Sequence, residues 1–540
     1  MQVTLGANPR QTCTLLGTKT CSNGLTSRPI QTFSLYFQRN LRYLKTNTTT
    51  LTSKSSALPR KIKAAAATSS DVDQSVATHD ALIRWCIEDH SLPATCLQPE
   101  AVEDELDRSE QAFGFTASRD VAKGEVILEI PGDLAVTSVD VGKDELLSTL
   151  AEGRSELVGL ALFLMQERFR GSASAWAPLL ATLPICTNSP VMWEDAVRAE
   201  FLIGSPVLEE ARSRNAALVA EWDSIQTTAG TAGLSLDPGT FNARAFSEAM
   251  SVILATAAYL PSAQCFALLP LVGSIRRTGS AGGAVLDYDF DRQSVTLVTS
   301  RPYTRGQEVR LYDGRPSGEV LLATGSIEPA NPADCLILPA SLVAADRLYS
   351  QKKEILENFG FTISEEFPIF EDRMATQHLA YMRLARLTDP AQFIKISFEQ
   401  DVIITPENEY EVLQLVMADL RDRMQAYPNN FEDDLKDLQR KDLSRRQRLA
   451  AVLKVSEKRI LRGTMDGVRR RLAPIRGIPT KSGNLQDPNA DFKEMFDMFE
   501  SIPSAPKRLL DNLASWARGE DDPDWKKKSG SGGGSGGQQR

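Results

Sequence analysis

The sequence predicts an α+β protein in which strand-forming segments enclose one helical stretch and precede a second. Alternating apolar residues within 112–137 and 285–314 predict strands, whereas apolar residues from about 147 to 245 recur at helical spacing. A second helical region, from about 341 to 477, is strongly charged, as solvated helix faces are. The total of 540 residues suffices for about three or four folded units.

The first 70 residues differ from the rest in charge. They contain no Asp or Glu, carry ten Lys or Arg, are rich in Ser and Thr, and end in KIKAAAATSS. This composition is typical of an organelle transit peptide, and the alternative is a basic arm that binds nucleic acid. We expect cleavage near 64–70 and a mature protein in the chloroplast stroma, which the Ser and Thr content favours. The mitochondrion stays open as the alternative.

Charge and cysteine content exclude several classes of protein. The formal net charge is -9, so the chain without its leader carries -9 minus 10, or -19, which argues against a basic nucleic-acid-binding body. Seven cysteines are too few, and odd in number, for a secreted disulfide scaffold. A membrane-spanning helix needs an apolar run of about 18 residues, and the sequence contains no run of that length. No CxxC pair is present, so we expect buried thiols and no metal site at Cys86, Cys96, Cys186, Cys265 and Cys335.

The first folded elements are a helix and two strands. Leu82, Trp85 and Cys86 share one helical face. Within 112–137 the alternation predicts two short strands, and Gly124 supplies a tight turn that joins them.

The middle of the chain is helical and then returns to strands. Ser189, the following proline and Glu194 fit a helix start, because Pro and acid are favoured in a first turn. Residues 287–298 then predict a hairpin with its turn at 291–293. In the charged region beyond, one helical stripe is formed by Val412, Leu415, Val416, Leu420 and Met424.

The C-terminal tail contains two more amphipathic segments before a Gly/Ser-rich end. We expect these segments either to pack on the body or to dock on another protein. Their apolar residues at helical spacing are Phe492, Met495, Phe496 and Phe499 in the first, and Leu509, Leu510, Leu513 and Trp516 in the second.

Five segments in the same order resemble SET-domain proteins of the Rubisco large-subunit methyltransferase type. FGFTASRDVAKGEVILEIPGDLAVT resembles the first SET strands, and SAWAPLLATLP with SPVMWEDAVRAEFLIGS resembles the helical insert. ALLPLVGSIRR resembles the stretch Pro-x-x-Asp-x-x-Asn-His, and YTRGQEVRLYDG resembles the final strand with its tyrosine. LRDRMQAYPNNFEDDLKDL resembles the helical substrate-binding domain. The resemblance runs from about Leu82 to about Ala473.

This resemblance implies a split SET domain, β-rich and of the knotted-strand type, with a helical insert and then an all-α Rubisco-methyltransferase-like substrate-binding domain. The implied divisions are a transit peptide at 1–70, the SET domain at 78–140 and 246–334 around an insert at 141–245, a helical domain at 335–477, and the tail at 478–540.

The resemblance also implies an activity and a site. Family members transfer a methyl group from S-adenosylmethionine to a protein lysine, which requires a neutral amine held in line with the methyl. The implied residues are Tyr312 as the catalytic tyrosine and Phe113, Gly114, Phe115, Arg276 and Arg277 as cofactor-binding residues, with no metal.

The cofactor motif is degenerate in this chain. Losing an arginine that pairs with the cofactor carboxylate removes a contact worth roughly 1.5–3 kcal/mol, or about ten-fold to a hundred-fold in affinity. The departures are Arg276-Arg277 for Asn-His, Gly273 for the acid before it, Ala255-Thr256 for Ser-Arg, Glu248 for a tryptophan and Thr324 for a second tyrosine.

Two functional hypotheses follow from the resemblance. In the first, the chain is a non-catalytic or weakly active module that binds a protein partner within a chloroplast complex, and the tail helices dock there. In the second, it is an active S-adenosylmethionine-dependent lysine methyltransferase acting on a stromal protein. Direct binding of nucleic acid through Arg276, Arg277 and the arginines at 445–448 is disfavoured, because no aromatic residues alternate with them.

Overall fold

The computed structural model describes residues 69–107 and 110–475, and the fold is given for those residues. The predicted transit peptide up to residue 68 and the predicted tail helices lie outside the described residues.

The described part alternates between strands and helices in the predicted order. The helices are α1 Ser69–His90, α2 Ser138–Val141, α3 Glu145–Ala151, α4 Glu156–Arg170, α5 Ala177–Thr182, α6 Asp195–Phe201, α7 Val207–Thr231, α8 Ala243–Thr256, α9 Ser317–Thr324, α10 Tyr349–Asn358, α11 Thr376–Arg386, α12 Pro406–Gln425, α13 Phe431–Leu438 and α14 Arg445–Leu472. The strands are β1 Leu97–Glu103, β2 Gln111–Ala117, β3 Val126–Pro131, β4 Ala258–Leu260, β5 Cys265–Ala267, β6 Arg277–Thr278, β7 Val285–Asp289, β8 Ser294–Val298, β9 Glu308–Val309, β10 Leu311–Tyr312, β11 Leu336–Ser341 and β12 Ser364–Ile369.

Two three-stranded sheets form the β-rich half, in the orders β1-β2-β9 and β3-β8-β7. The predicted hairpin of β7 and β8 is confirmed, with Val285 opposite Val298. The predicted strands β2 and β3 and the turn at Gly124, with φ +81°, are confirmed, but the two strands do not pair with each other. β2 pairs with β1 and β9, while β3 pairs with β8. The connection crosses between sheets at Val121, which bridges to Tyr303.

The candidate site depends on one short strand that runs between two other segments. β10 lies parallel to β6, with Tyr312 opposite Thr278. Its backbone is also held from the other side, since the Tyr312 amide donates to the Ala284 carbonyl. The Asp313 amide donates to the Thr278 carbonyl at 2.8 Å. Tyr312 and Asp313 are therefore fixed by strands far away in the sequence.

The helical insert packs directly on the strands and shares one core with them. Leu160 on α4, Phe246 on α8 and Phe115 on β2 are each 0% exposed in this core. The predicted face of α1 is confirmed, because Leu82 and Cys86 are also fully buried there. Ser189 does accept a hydrogen bond from the Val191 amide, but it starts only a 3-10 turn ahead of α6.

The C-terminal domain is helical except for one two-stranded sheet. β11 and β12 pair antiparallel, with Leu338 opposite Phe367, so the expectation of an all-α domain over 335–477 is wrong for these strands. Both side chains are buried, which is what a short pair of strands needs to be stable against helices. The predicted stripe on α12 is buried at Val412, Val416 and Leu420, with Met424 partly buried, whereas Leu415 is 44% exposed.

The C-terminal domain meets the insert at a close backbone contact. Gly204 has φ +87°, and a Cβ on it would lie 2.7 Å from the Tyr427 Cα. Next to this contact the buried Glu457 on α14 accepts hydrogen bonds from Ser205 at 2.7 Å and Tyr427 at 2.9 Å. The insert and the C-terminal domain are thus joined through a buried polar cluster.

The described residues include five cysteines, and their burial agrees in part with the prediction. Cys86 and Cys96 are buried as predicted, while Cys186, Cys265 and Cys335 are half-buried, and all five are free thiols. Burial raises the pKa of Cys86 and of Cys335 to about 12. None of the described helices is long and apolar enough to cross a membrane.

Candidate functional site

Two adjoining cavities lie between the β1–β2–β9 sheet and the β6–β10 segment. The smaller has a volume of about 210 Å³ and is lined by Phe113, Arg276 and Arg277, three of the residues predicted to hold a cofactor. The larger has a volume of about 540 Å³. They share the lining residues Asp104, Glu105 and Glu328, and the larger adds Glu100, Glu103 and Glu308 with one cation, Arg310.

Arg276 is tied into a network of carboxylates at the boundary of the two cavities. Its guanidinium lies 3.1 Å from Glu105 and 3.1 Å from Glu308, and it donates to the Glu103 carbonyl at 2.9 Å. Arg310 contacts the same two carboxylates from the other side. Burial raises the pKa of Glu105, although Arg276 and Arg310 oppose that effect. The positive charge of Arg276 is therefore already neutralised within the protein.

Arg277 crosses the wall of the small cavity. Its Nη2 donates to the Ala255 carbonyl at 2.8 Å, at the end of α8, and its Nη1 lies 3.5 Å from Asp313 Oδ2. The side chain is 16% exposed. Burial lowers the pKa of Arg277, and the charge of Asp313 opposes that effect. The Arg277 guanidinium therefore links Ala255 to Asp313. The resemblance places the family's Ser-Arg pair at Ala255-Thr256, and Asp313 directly follows the tyrosine at 312.

Asp313 is the centre of a buried ion cluster that the sequence did not single out. It accepts two hydrogen bonds from Arg315, at 2.8 and 2.6 Å, and faces Arg277 on its other side. Burial works to raise the pKa of Asp313, but Arg315 and Arg277 outweigh it and hold the pKa at about 2. The available signal was the pair of opposite charges at 313 and 315 directly after a predicted strand.

Tyr312 is half-buried and does not line either of the two cavities. Gly283 and Gly314 pack against it, since a Cβ on Gly314 would lie 2.9 Å from the Tyr312 hydroxyl oxygen. Within 69–107 and 110–475, its hydroxyl has no hydrogen-bond partner. The strand register holds the ring in place, while the hydroxyl is left without a group that orients it.

The three predicted residues of β2 separate in the structure. Phe113 lines the small cavity and stacks on His79 at 4.0 Å. Phe115 is fully buried in the core. Gly114 faces the opposite side of the sheet, where a Cβ would lie 2.8 Å from Val102 Cγ2. Of the three, only Phe113 therefore meets Arg276 and Arg277 in one cavity.

Two polar features around this site come from residues that sequence reasoning missed. His79 on α1 shares a 2.8 Å hydrogen bond with Ser274 and another with the Ser75 carbonyl, and burial lowers its pKa. Arg445, at the start of α14, lines the small cavity and lies 3.0 Å from Asp104. Arg445 and Asp104 are far apart in the sequence, so no local pattern predicts that they meet.

The other departures from the family motif are satisfied locally. Thr256 donates to the Val252 carbonyl, Thr324 donates to the Val320 carbonyl, and Glu248 pairs with Arg244. Among the described residues no group of His, Cys, Asp or Glu is arranged to hold a metal ion.

The chain is similar to known proteins in its fold and in part of its C-terminal region. The family model for the Rubisco LSMT substrate-binding domain matches residues 343–461. A solved structure of the SET domain of LSMT bound to lysine and AdoHcy superposes with a TM-score of 0.61, at 19% identity, covering 82% of this chain and 99% of that chain. Rubisco LSMT bound to AdoMet gives a TM-score of 0.60, also at 19% identity, covering 81% of this chain and 99% of that chain. The chain therefore has the fold of the LSMT SET-domain structures, and its residues 343–461 match the family of Rubisco LSMT substrate-binding domains.

Curated relatives are protein methyltransferases. The chloroplastic Rubisco large-subunit N-methyltransferase of Nicotiana tabacum is 23% identical over 384 residues, 67% of this chain and 77% of its own length. The chloroplastic fructose-bisphosphate aldolase-lysine N-methyltransferase of Arabidopsis thaliana is 24% identical over 368 residues, 65% of this chain and 76% of its own. Actin-histidine N-methyltransferase of Danio rerio is 24% identical over 381 residues, 65% of this chain and 63% of its own.

Proposed function

We propose that this protein is a plastid SET-domain module that binds a protein partner and does not carry out methyl transfer. One observation carries this proposal. Arg276 and Arg277, which stand where the resemblance expects Asn-His, line the small cavity and are already paired with carboxylates of the protein, Arg276 with Glu105 and Arg277 with the buried Asp313.

The small cavity by itself offers less space than sites for ligands of the cofactor's size. The cavity beside Phe113 has a volume of about 210 Å³, whereas sites for drug-sized ligands have about 300–1,000 Å³. The neighbouring cavity of about 540 Å³ is large enough, but Glu100, Glu103 and Glu308 contribute negative charge to it. These acids suit the cofactor's sulfonium and ammonium but not its carboxylate. The four arginines that line the two cavities, Arg276, Arg277, Arg310 and Arg445, are each already paired with a carboxylate of the protein. The residues present therefore offer no free cation for the cofactor carboxylate.

The existing contacts of Arg277 also oppose binding. Arg277 can meet a cofactor carboxylate only by turning away from the Ala255 carbonyl, to which it donates at 2.8 Å, and from the buried Asp313 at 3.5 Å. One new arginine–carboxylate contact would therefore replace two contacts that the folded protein already makes.

A protein is the partner class that the rest of the chain supports. The relatives are named for protein substrates, and the matched C-terminal family is named for substrate binding. That domain is intact in this chain, with its own buried core around Leu413 and Leu461. The chloroplastic relatives and the leader composition both favour the plastid stroma as the location.

Calorimetry with S-adenosylmethionine tests the proposal. We expect no measurable heat of binding at millimolar cofactor for the mature protein, with the tobacco large-subunit methyltransferase as the positive control in the same buffer. Micromolar binding would contradict the proposal and favour the active enzyme. In that event Tyr312→Phe should abolish methyl transfer, because Tyr312 stands at the position of the SET tyrosine.

A further inference from the structure

The connection between α6 and α7 covers the buried carboxyl group of Glu457. We name residues 202–206, which join the two helices, the junction loop. Ser205 in this loop is 5% exposed and donates a hydrogen bond to Glu457 at 2.7 Å. Ile203 and Pro206, on either side of that contact, are exposed. The junction loop is therefore a thin cover, with Glu457 on one side and solvent on the other.

A close backbone contact sets the closed position of the junction loop. Gly204 has φ +87°, a conformation that favours glycine, and a Cβ on it would lie 2.7 Å from the Tyr427 Cα. Tyr427 also donates a hydrogen bond to Glu457 at 2.9 Å. Glu457 thus accepts one hydrogen bond from the junction loop and one from the C-terminal domain, against which that loop packs.

Glu457 is buried without a cation paired to it. Within 69–107 and 110–475, no Lys or Arg forms an ion pair with this residue, and its two hydrogen-bond donors are neutral hydroxyl groups. Burial without a paired cation disfavours the ionised form and raises the pKa of Glu457 to about 7. The titratable and charged groups around it are Lys454 on α14, Asp334 before β11 and Tyr427 after α12, with Arg423, Asp434 and Lys458 next to Tyr427.

We propose that the junction loop is a proton-controlled cover of Glu457, closed over the neutral carboxyl group and opened by its ionisation. Opening admits water to the carboxylate and so removes the cause of its raised pKa. The closed state binds the proton more tightly than the open state, so closure is favoured at low pH and weakens as the pH rises. With a pKa of about 7 when closed and near the ordinary 4.5 when open, the equilibrium constant for opening rises about ten-fold from pH 6 to pH 8. The inference does not depend on whether the SET domain binds a cofactor.

Hydrogen exchange of the mature protein measures this equilibrium. The Ser205 amide donates to the Leu202 carbonyl at 3.0 Å and the Val207 amide donates to the Ser205 hydroxyl at 3.2 Å, so opening exposes both amides. Divided by the intrinsic rate at each pH, their exchange should become about ten-fold faster from pH 6 to pH 8. Glu457→Gln should abolish this change, because an amide does not titrate. The matched control Glu432→Gln, at an exposed acid that pairs with Arg462 on the same helix, should keep it.

Low concentrations of urea separate local opening from global unfolding. Local opening exposes little surface, so urea below the unfolding transition should hardly change exchange at Ser205 and Val207, while it accelerates exchange of the core amides of α8. Three results would each overturn the proposal. They are equal rates at pH 6 and pH 8 in the wild type, an unchanged rise in Glu457→Gln, and one urea dependence for loop and core.

Gly204→Ala tests the closed geometry without changing a titratable group. The added Cβ meets the Tyr427 backbone, so this variant should hold the junction loop open and exchange fast at pH 6 and pH 8 alike. Gly230→Ala on α7, where a Cβ meets nothing within 4 Å, should behave as the wild type. Protected core amides of α8 show that each variant is folded, and wild-type exchange in folded Gly204→Ala would contradict the proposal.

Discussion

At the scale of single residues, the site is organised by Asp313 rather than by the tyrosine before it. Arg315 and Arg277 approach this carboxylate from two sides, and Asp313 is 4% exposed in its side chain. A buried charge with two partners is stable only as a set, because removing one member leaves the others desolvated. The same set keeps Arg277 pointed across the small cavity.

Asp313→Asn should destabilise the protein by about 3–5 kcal/mol at neutral pH, because Arg315 and Arg277 lose their buried counter-ion. Urea denaturation followed by tryptophan fluorescence measures the change. The matched control is Asp442→Asn, whose partner Arg440 is on the surface, and it should have little effect. Equal effects of the two substitutions would contradict the role given to Asp313.

The pH dependence of the wild type follows from the same residue. The pKa of Asp313 is about 2 in the folded protein and near the ordinary aspartate pKa of 3.8 when unfolded. Its stabilising effect, about 2 kcal/mol, is therefore present above about pH 4 and lost as the pH falls toward 2. The Asn variant should lack this acid-induced loss in the same titration.

Residue types predicted part of this site. Arg276, Arg277 and Phe113 could be named in advance because they fall on motif positions, and they do line one cavity. Gly114 and Phe115 do not line it, because neighbouring residues of a strand point to opposite faces and the depth of Phe115 depends on packing from α1. Arg315 required knowledge of where the chain turns after β10.

At the scale of elements, the junction between insert and C-terminal domain holds a buried acid. Glu457 on α14 accepts hydrogen bonds from Ser205 and Tyr427, and Asp334 and Lys454 are the other charged groups that act on it. Burial raises the pKa of Glu457 to about 7, against the two hydrogen bonds that lower it. This carboxyl group gains a proton within the neutral pH range.

Glu457→Gln should make the protein more stable than the wild type at pH 8 and equal to it below about pH 4.5. In the wild type the folded state holds the Glu457 proton more tightly than the unfolded state does, so stability falls by about 3 kcal/mol as the pH rises from about 4.5 to 7. The amide keeps an acceptor for Ser205 without the cost of ionisation. Urea denaturation across this pH range measures the difference, and parallel curves for the two proteins would contradict the assignment.

Local patterns predicted which elements exist better than how they pair. The strands β3, β7 and β8 and the helices of the insert follow their hydrophobic periods. The pairing of β2 with β9 joins residues far apart in the sequence, and no local pattern records it. β11 and β12 were missed because they are short strands inside a region whose composition is helical.

At the scale of the whole molecule, the fold of the LSMT SET-domain structures surrounds a site whose arginines are paired within the protein. The fold of the LSMT SET domain and the substrate-binding family match are both present. The resemblance could be detected from the order of five segments, because that order reflects the fold. Whether the cavity accepts a cofactor depends on side-chain directions at Arg276 and Arg277, which the sequence order does not specify.

A crystal structure grown with millimolar S-adenosylhomocysteine tests the central claim most directly. We predict electron density for the Arg277 guanidinium within hydrogen-bond distance of the Ala255 carbonyl and no cofactor density between Phe113 and Asp313. Cofactor density in that place, with Arg277 turned away from Asp313, would contradict the claim.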